Sequence, residues 1–182
     1  MFIDSTNPQI ININKKVILG IDPGVHNLGW AILTQHPHNN QPKYIASGVI
    51  LNKPNLHITD KLAHILIQLD QIIAEYKITM IATETAFLEK DLRALLSLSY
   101  ARAIVMAISG KHKIPFFDIN AIHIKKNVAG SGKASKEQIK FMIAKLLSIT
   151  EPKNEHESDA LAVAYCHFVD NATLNLQNRV NQ

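Results

Sequence analysis

The most constraining stretch of this sequence is Val17–Gly24, where an apolar run ends at an acidic residue and a turn follows at once. Four apolar residues around Gly20 predict a strand that is buried on both faces, as in the centre of a sheet. Pro23 and Gly24 then force a turn. Because a carboxylate at the end of a core strand is costly without a compensating partner, Asp22 is either a turn residue that reaches solvent or one ligand of a site.

The spacing of apolar residues predicts an α/β fold with helices packed on a mixed sheet. The predicted strands are 17–22, 29–34, 44–51, 79–84 and 115–119. The first three follow one another through short connections, which indicates an antiparallel meander, and the later strands return through helices. Helices are expected at 62–76, at 91–109 with Gly110 as its stop, after the caps Asn120 and Ser135, and at 155–169.

A length of 182 residues is typical of a single domain, which we expect to span residues 17–170. Residues 1–16 are polar and form an N-terminal extension, and residues 171–182 form a polar tail that we expect to be frayed. No apolar run approaches the roughly 20 residues of a membrane span, so no membrane partner is expected. The predicted helix over 91–109 is apolar on more than one side, which indicates burial by the core and by a second surface such as another subunit.

The N-terminus and the cysteine usage indicate a cytoplasmic protein. The first residues lack the charged and apolar regions of a signal peptide. Cys166 is the single cysteine, so an internal disulfide is excluded and a reducing compartment fits. We expect Cys166 to be buried and structural, because the sequence shows no His/Asp arrangement of the kind that activates a nucleophile.

The charge is unevenly distributed along the chain. Residues 90–153 carry 12 Lys and Arg against 4 Asp and Glu, an excess of 8, whereas the remainder has 7 against 11 and is acidic by 4. A basic half of this kind is the electrostatic pattern expected for a phosphate-rich partner such as nucleic acid.

Acidic residues recur where the predicted elements meet one edge of the sheet. Asp22 and Glu84 each end an apolar strand, and His156 and Asp159 share one face near the start of the last helix. If the two strands are parallel neighbours, all four side chains converge. Crowded carboxylates repel one another unless a hard cation such as Mg²⁺ joins them, and two such ions can activate water at a phosphodiester. The pattern therefore predicts a metal-dependent nuclease.

Several motifs together resemble the RuvC-type Holliday junction resolvases, the crossover junction endodeoxyribonucleases, over roughly residues 17–170. The matching motifs, in family order, are Ile18–Gly24, Glu84 with Phe87, Ala101 and Arg102, Gly130–Gly132 with Lys136, and Glu157–Ala162. The resemblance implies an RNase H-like fold, a homodimer, Mg²⁺ dependence and paired cuts across a four-way DNA junction in recombination and repair. It also implies cooperation with the RuvA and RuvB branch-migration proteins.

Carried over by position, Asp22, Glu84 and Asp159 match the metal-binding catalytic carboxylates of the family. His156 stands where the family commonly has Asp, although some branches of the superfamily use His. Its imidazole is therefore either a metal ligand, which Mn²⁺ tolerates better than Mg²⁺, or the general base for the attacking water. We expect two ions in each site.

The resemblance also supplies DNA-binding residues. Phe87 matches the aromatic residue that stacks on a junction base, which works for any base. Lys125 and Lys136 match lysines near the scissile strand, where compact cations neutralise phosphate and stabilise developing charge. Lys126 and Lys133 are expected to make generic contacts with the DNA backbone.

Three alternatives remain at the level of sequence. Asp22, Gly24 and Gly29 also fit the first phosphate loop of actin-like ATPases, but one short chain with a single such loop argues against two lobes. A second alternative is an RNA-processing nuclease of the RNase H-like superfamily. The third is a junction-binding protein that lost cleavage when a carboxylate became His156, against which the three remaining carboxylates argue.

Overall fold

The structure of the protein is a computed structural model that describes residues 16–85 and 92–180, with side chains up to residue 171. Its elements are β1 (Val17–Asp22), β2 (Asn27–Gln35), β3 (Pro42–Leu51), α1 (Ile58–Tyr76), β4 (Met80–Glu84), α2 (Leu92–His112), β5 (Phe116–Ile119), α3 (Ala121–Ala129), α4 (Lys136–Leu147) and α5 (Glu155–Val180).

The strands form one mixed sheet in the order β3-β2-β1-β4-β5. The first three strands pair in antiparallel fashion, as the short connections predict. β1 is parallel to β4, and β4 is parallel to β5, because a helix returns the chain before each of these later strands. The expected fold, antiparallel strands followed by parallel ones with helices on the sheet, is confirmed.

Each face of the sheet carries its own hydrophobic core, since neighbouring residues of a strand point to opposite faces. Ile18 and Leu33 face the core that is completed by α3, α4 and α5. Leu19 and Ile32 face the other core, which α1 and α2 cover. β1 is therefore buried on both sides, which explains its nearly continuous apolar sequence.

Local capping explains where the helices around the basic half begin and end. The Asn120 side chain accepts a hydrogen bond from the Ile122 N–H and starts α3, and Gly130 ends that helix at a φ of 74°. Ser135 and Gln138 form a reciprocal capping box at the start of α4. Both predicted caps, Asn120 and Ser135, are confirmed.

Two predicted helix ends are wrong. α2 continues through Gly110 to His112, and the chain turns only at Lys113, which has a φ of 54°. α5 continues past residue 169 to Val180. The added segment is polar but contains neither Gly nor Pro, so its polarity alone did not indicate a helix end.

α2 is long and apolar enough to cross a membrane by length and composition, contrary to the expectation that the chain has no such run. It nevertheless belongs to the folded domain, because Ala101, Val105 and Ile108 are buried and two of these side chains join the core beneath α1. Other apolar side chains of α2, among them Leu92 and Met106, are exposed. The expected breadth of its apolar surface is confirmed.

α5 lies unusually close to the central strands, because small residues face one another at the contact. A Cβ atom added to Gly20 in β1 would lie 2.4 Å from the Ala160 carbonyl oxygen and 2.6 Å from the Ala164 nitrogen. Ala160 and Ala164 are themselves fully buried. The backbone of α5 thus packs directly against β1, and this contact fixes the height of the helix above the sheet.

We predict that Gly20→Ala destabilises the protein, since the added methyl group meets the backbone of α5 rather than a flexible side chain. The expected loss is at least about 2 kcal/mol in the free energy of unfolding, measured by urea denaturation. Gly110→Ala is the matched control, because an added Cβ there has no atom within 4 Å. That change should stabilise α2 by up to about 1 kcal/mol, and equal effects of the two substitutions would contradict the packing argument.

Candidate active site

Two acidic residues emerge together at one edge of the sheet. The parallel register of β1 and β4 aligns Ile21 with Thr83, so the next residues, Asp22 and Glu84, end adjacent strands on the same side. This is the edge at which α/β sheets hold their ligands. The structure thus brings the two strand-end carboxylates to the same edge, as the sequence predicted.

The first turn of α5 carries His156 and Asp159 to the same edge. His156 Nδ1 lies 2.7 Å from Asp22 Oδ2. The Asn154 side chain accepts a hydrogen bond of 2.9 Å from the His156 N–H and thereby caps the start of the helix. Gly29 in β2 allows the approach, because a Cβ atom there would lie 1.9 Å from the His156 carbonyl oxygen.

The carboxylates are crowded and partly removed from water. Burial and the Asp22 charge raise the pKa of Asp159 to about 6. Burial and the charges of Asp159 and Asp22 also raise the pKa of Glu84. Repulsion among acids that the fold forces together is relieved by a divalent cation with oxygen preference, so the donor set fits Mg²⁺ or Mn²⁺.

The hydrogen bond to Asp22 raises the pKa of His156, more than burial lowers it. Because the pKa of His156 is higher in the folded protein than in the unfolded chain, the pair contributes to stability in a pH-dependent way. The pair stabilises the fold fully below the ordinary His pKa of 6.5, where the imidazole is protonated, and this contribution is lost as pH rises through the higher folded-state value.

Of the four predicted DNA-binding lysines, two lie at the carboxylates. Lys125 and Lys136 line one cavity together with Glu84 and Asp159. The Lys136 Nζ atom is 3.0 Å from Glu155 Oε2 and 3.9 Å from Asp159 Oδ2. Both lysine charges oppose the rise of the Glu84 pKa.

The other predicted DNA contacts are not brought to the carboxylates. Lys126 and Lys133 are exposed. Lys133 lines a separate groove with Gln138 and Phe141, between α3 and α4. Phe87 lies outside the described residues, so its stacking role stays a prediction.

Arg102 is a further residue of the site, which the sequence analysis placed in a motif but gave no role. Its guanidinium donates to Thr83 Oγ1 at 2.7 Å and to the Glu84 carbonyl oxygen at 3.0 Å, and it pairs with Asp118. It therefore ties α2 to the end of β4 and holds the backbone that carries the Glu84 carboxylate. The available sequence signal was a lone Arg within a broadly apolar part of the helix, and the structure shows this Arg side chain to be 14% exposed.

Cys166 is buried, as predicted, and the fold brings a His and an Asp beside it that the sequence did not indicate. His123 and Asp170 both lie beside its sulfur. Burial raises the pKa of the Cys166 thiol to about 12, which keeps it protonated and unreactive as a nucleophile.

Comparison with known proteins identifies the family. The sequence profile described as "Crossover junction endodeoxyribonuclease RuvC" matches residues 18–167. The chain belongs to the RuvC family. Crossover junction endodeoxyribonuclease RuvC of Rickettsia africae is 39% identical over 154 residues, which are 84% of this chain and 97% of the relative. The RuvC protein of Ehrlichia ruminantium is 36% identical over 152 residues, 83% of this chain and 95% of the relative.

The solved structures agree with the fold. Thermus thermophilus RuvC in complex with a Holliday junction substrate superposes with a TM-score of 0.79 at 22% identity, covering 87% of this chain and 96% of that one. The RNase H-like fold is confirmed, as is the family resemblance over the central part of the chain. Membership of the RuvC family makes the protein a metal-dependent endodeoxyribonuclease that resolves Holliday junctions.

The raised pKa of Asp159 predicts a pH-dependent stability in chelator-treated protein. Between its ordinary value of 3.8 and about 6, the folded state holds more protons than the unfolded state, so the free energy of unfolding falls as pH rises through this window. In wild type the free energy of unfolding should decline by an amount on the order of 1–3 kcal/mol between pH 4 and 7, measured by urea denaturation, and Asp159→Asn should remove this decline. An unchanged pH slope in the variant would contradict the crowding of these acids.

Proposed function

We propose that Asp22, Glu84, His156 and Asp159 form the catalytic centre of this resolvase and hold two Mg²⁺ ions. The observation that carries the proposal is that the ends of β1 and β4 and the first turn of α5 bring three mutually repelling carboxylates together. When bound, the ions supply an activated water and stabilise the leaving oxygen of a phosphodiester. Mn²⁺ is an alternative cation, because it accepts an imidazole nitrogen more readily.

His156 acts in this proposal as a ligand that shares its ion with Asp22. The 2.7 Å contact between Nδ1 and Asp22 Oδ2 keeps the two donor atoms together. The same contact raises the pKa of His156, so a proton leaves the imidazole when its nitrogen binds a cation.

The DNA approaches the edge of the sheet from the side of α3 and α4 in our proposal. Lys125 and Lys136 lie next to Glu84 and Asp159, where their positive charges offset the negative charge of the scissile phosphate. Lys126 and Lys133 are exposed nearby on the same basic half and contact the flanking backbone. Phe87 stacks on a junction base; the family resemblance is what supports this assignment.

The proposed enzyme is a homodimer, which allows two cuts at one junction. The support is an exposed apolar stripe on α2, in which Leu92, Leu96, Ala103 and Met106 recur at i, i+4, i+11 and i+14. This spacing suits packing against the same helix of a second copy. Arg102 on the same helix reaches the backbone of Glu84, so the proposed interface lies close to the catalytic edge.

The cellular setting follows from the family. We place the enzyme in the cytoplasm, acting with RuvA and RuvB, and the family resemblance supports both assignments. In the proposed organisation residues 17–170 form the nuclease domain, residues 1–16 are an extension, and residues 171–182 are a polar tail in which α5 continues to Val180.

The decisive experiment is strand cleavage of a synthetic four-way junction with wild-type protein and Asp22→Asn. We expect symmetric nicks from wild type with Mg²⁺ or Mn²⁺, and a loss of at least about 100-fold in rate for the variant, because one ligand loses its charge. Junction affinity, measured by fluorescence anisotropy in Ca²⁺, should change little.

The same assay tests the role of His156. His156→Asp should retain or exceed wild-type rates in Mg²⁺ if the side chain is a ligand, whereas complete loss would favour a role specific to imidazole. Lys153→Ala is the control, since this lysine belongs to the basic half but lies outside the carboxylate cavity. Absence of junction cleavage by wild type in both metals would refute the assignment of the centre.

Leu96→Glu should convert the dimer to a monomer, because it places a charge in the apolar stripe of α2. Size-exclusion chromatography with light scattering measures the mass of the particle. The fraction of junctions that are cut on both strands should fall when the protein becomes monomeric. Phe141→Glu on α4 is the matched control, since this exposed aromatic lies away from α2. A monomeric wild type, or a dimer that survives Leu96→Glu, would contradict this interface.

A further inference from the structure

A second group of metal-ligating side chains lies between α3 and α5, apart from the carboxylate centre. It consists of His123 on α3 and of Cys166 and Asp170 on α5, whose ligand atoms all lie within 4.8 Å of one another. Asp170 follows Asp159 by eleven residues on the same helix, which corresponds to about 16 Å along its axis. The catalytic centre therefore does not use these side chains.

Two of the three donor pairs lie at distances close to those of a tetrahedral metal site, and the third pair lies within 4.8 Å. His123 Nε2 lies 2.9 and 3.0 Å from the two carboxylate oxygens of Asp170, and Cys166 Sγ lies 3.8 Å from Asp170 Oδ2. A tetrahedron with ordinary zinc–sulfur, zinc–nitrogen and zinc–oxygen bonds has edges of about 3.3–3.6 Å. Side-chain adjustments of about 1 Å or less therefore place all three donors around one ion.

Asn127 connects the three donors through its side-chain amide. The Asn127 amide nitrogen lies 3.1 Å from His123 Nε2, 3.0 Å from Cys166 Sγ and 3.3 Å from Asp170 Oδ1, but it has only two hydrogens for these three atoms. His123 Nε2 has two hydrogen-bond partners that require opposite roles. It can donate to Asp170 or accept from Asn127, but not both at once, whereas a cation would satisfy the lone pairs of all three donors.

We propose that His123, Cys166 and Asp170 bind a zinc-like divalent cation that clamps α5 to α3. A thiolate, an imidazole and a carboxylate form a donor set that suits Zn²⁺ and disfavours Mg²⁺, which prefers oxygen. His123 and Asp170 are partly exposed, so the ion reaches the buried sulfur from their side and a water completes the coordination.

The chemistry of binding is a proton exchange. The Cys166 thiol is protonated in the metal-free protein, because burial raises its pKa to about 12. When the sulfur–metal bond forms, the S–H bond breaks and its proton leaves to solvent. The ion contributes stability to the folded chain, since the three ligands come from two separate helices.

Cobalt(II) is the probe that separates this site from the catalytic centre. Titration of metal-free, full-length protein should produce a near-ultraviolet sulfur-to-cobalt charge-transfer band, which only Cys166 can give because it is the single cysteine. Zn²⁺ should abolish the band and excess Mg²⁺ should not. Asp22→Asn should leave it unchanged, so failure here and failure of the catalytic assignment are distinguishable.

His123→Ala is the informative variant, since this exposed side chain can be removed without opening the core. It should weaken Co²⁺ binding at least about tenfold and remove the rise in Tm that we expect Zn²⁺ to give the wild type. Asp170→Asn should act in the same direction, and His38→Ala is the matched exposed control. Absence of the band in wild type, or a band and affinity unaffected by His123→Ala, would overturn the site.

Discussion

The close contact between α5 and the central strands is the constraint on which the rest of the structure depends. Gly20 in β1 and Gly29 in β2 leave room for the helix backbone itself, and Ala160 and Ala164 complete the contact. Because the helix lies directly on the strands, its first turn reaches the end of β1. Larger residues at these positions would lift the helix and separate His156 and Asp159 from Asp22.

That proximity has an electrostatic consequence. Close packing of the elements places Asp22, Glu84 and Asp159 where their charges repel, and burial adds to the effect. Lys125 and Lys136 lie at the rim of the cavity, and the Arg102 guanidinium lies behind Glu84. The two lysine charges offset part of the repulsion but leave the carboxylates directed at a space suited to a divalent ion.

Sequence reasoning recovered the features that depend on local pattern. The strand ends at Asp22 and Glu84 and the capping residue Ser135 were readable because strand and cap signals are local. It missed the role of Arg102 and the neighbours of Cys166, since these depend on contacts between distant segments. The end of α5 was also missed, because a polar sequence without Gly or Pro does not distinguish a helix from a tail.

The two sides of the carboxylate edge are held by different kinds of backbone. Asp22 lies at the end of a strand with hydrogen-bonded neighbours on both sides, whereas His156 lies in the first turn of a helix that a single Asn154 side chain caps. Interior strands exchange their amide hydrogens near the global limit, and helix ends open locally at much lower free energy. The carboxylates on the strands are therefore held by backbone that opens only with the whole fold, whereas the position of His156 depends on the local stability of one helix end.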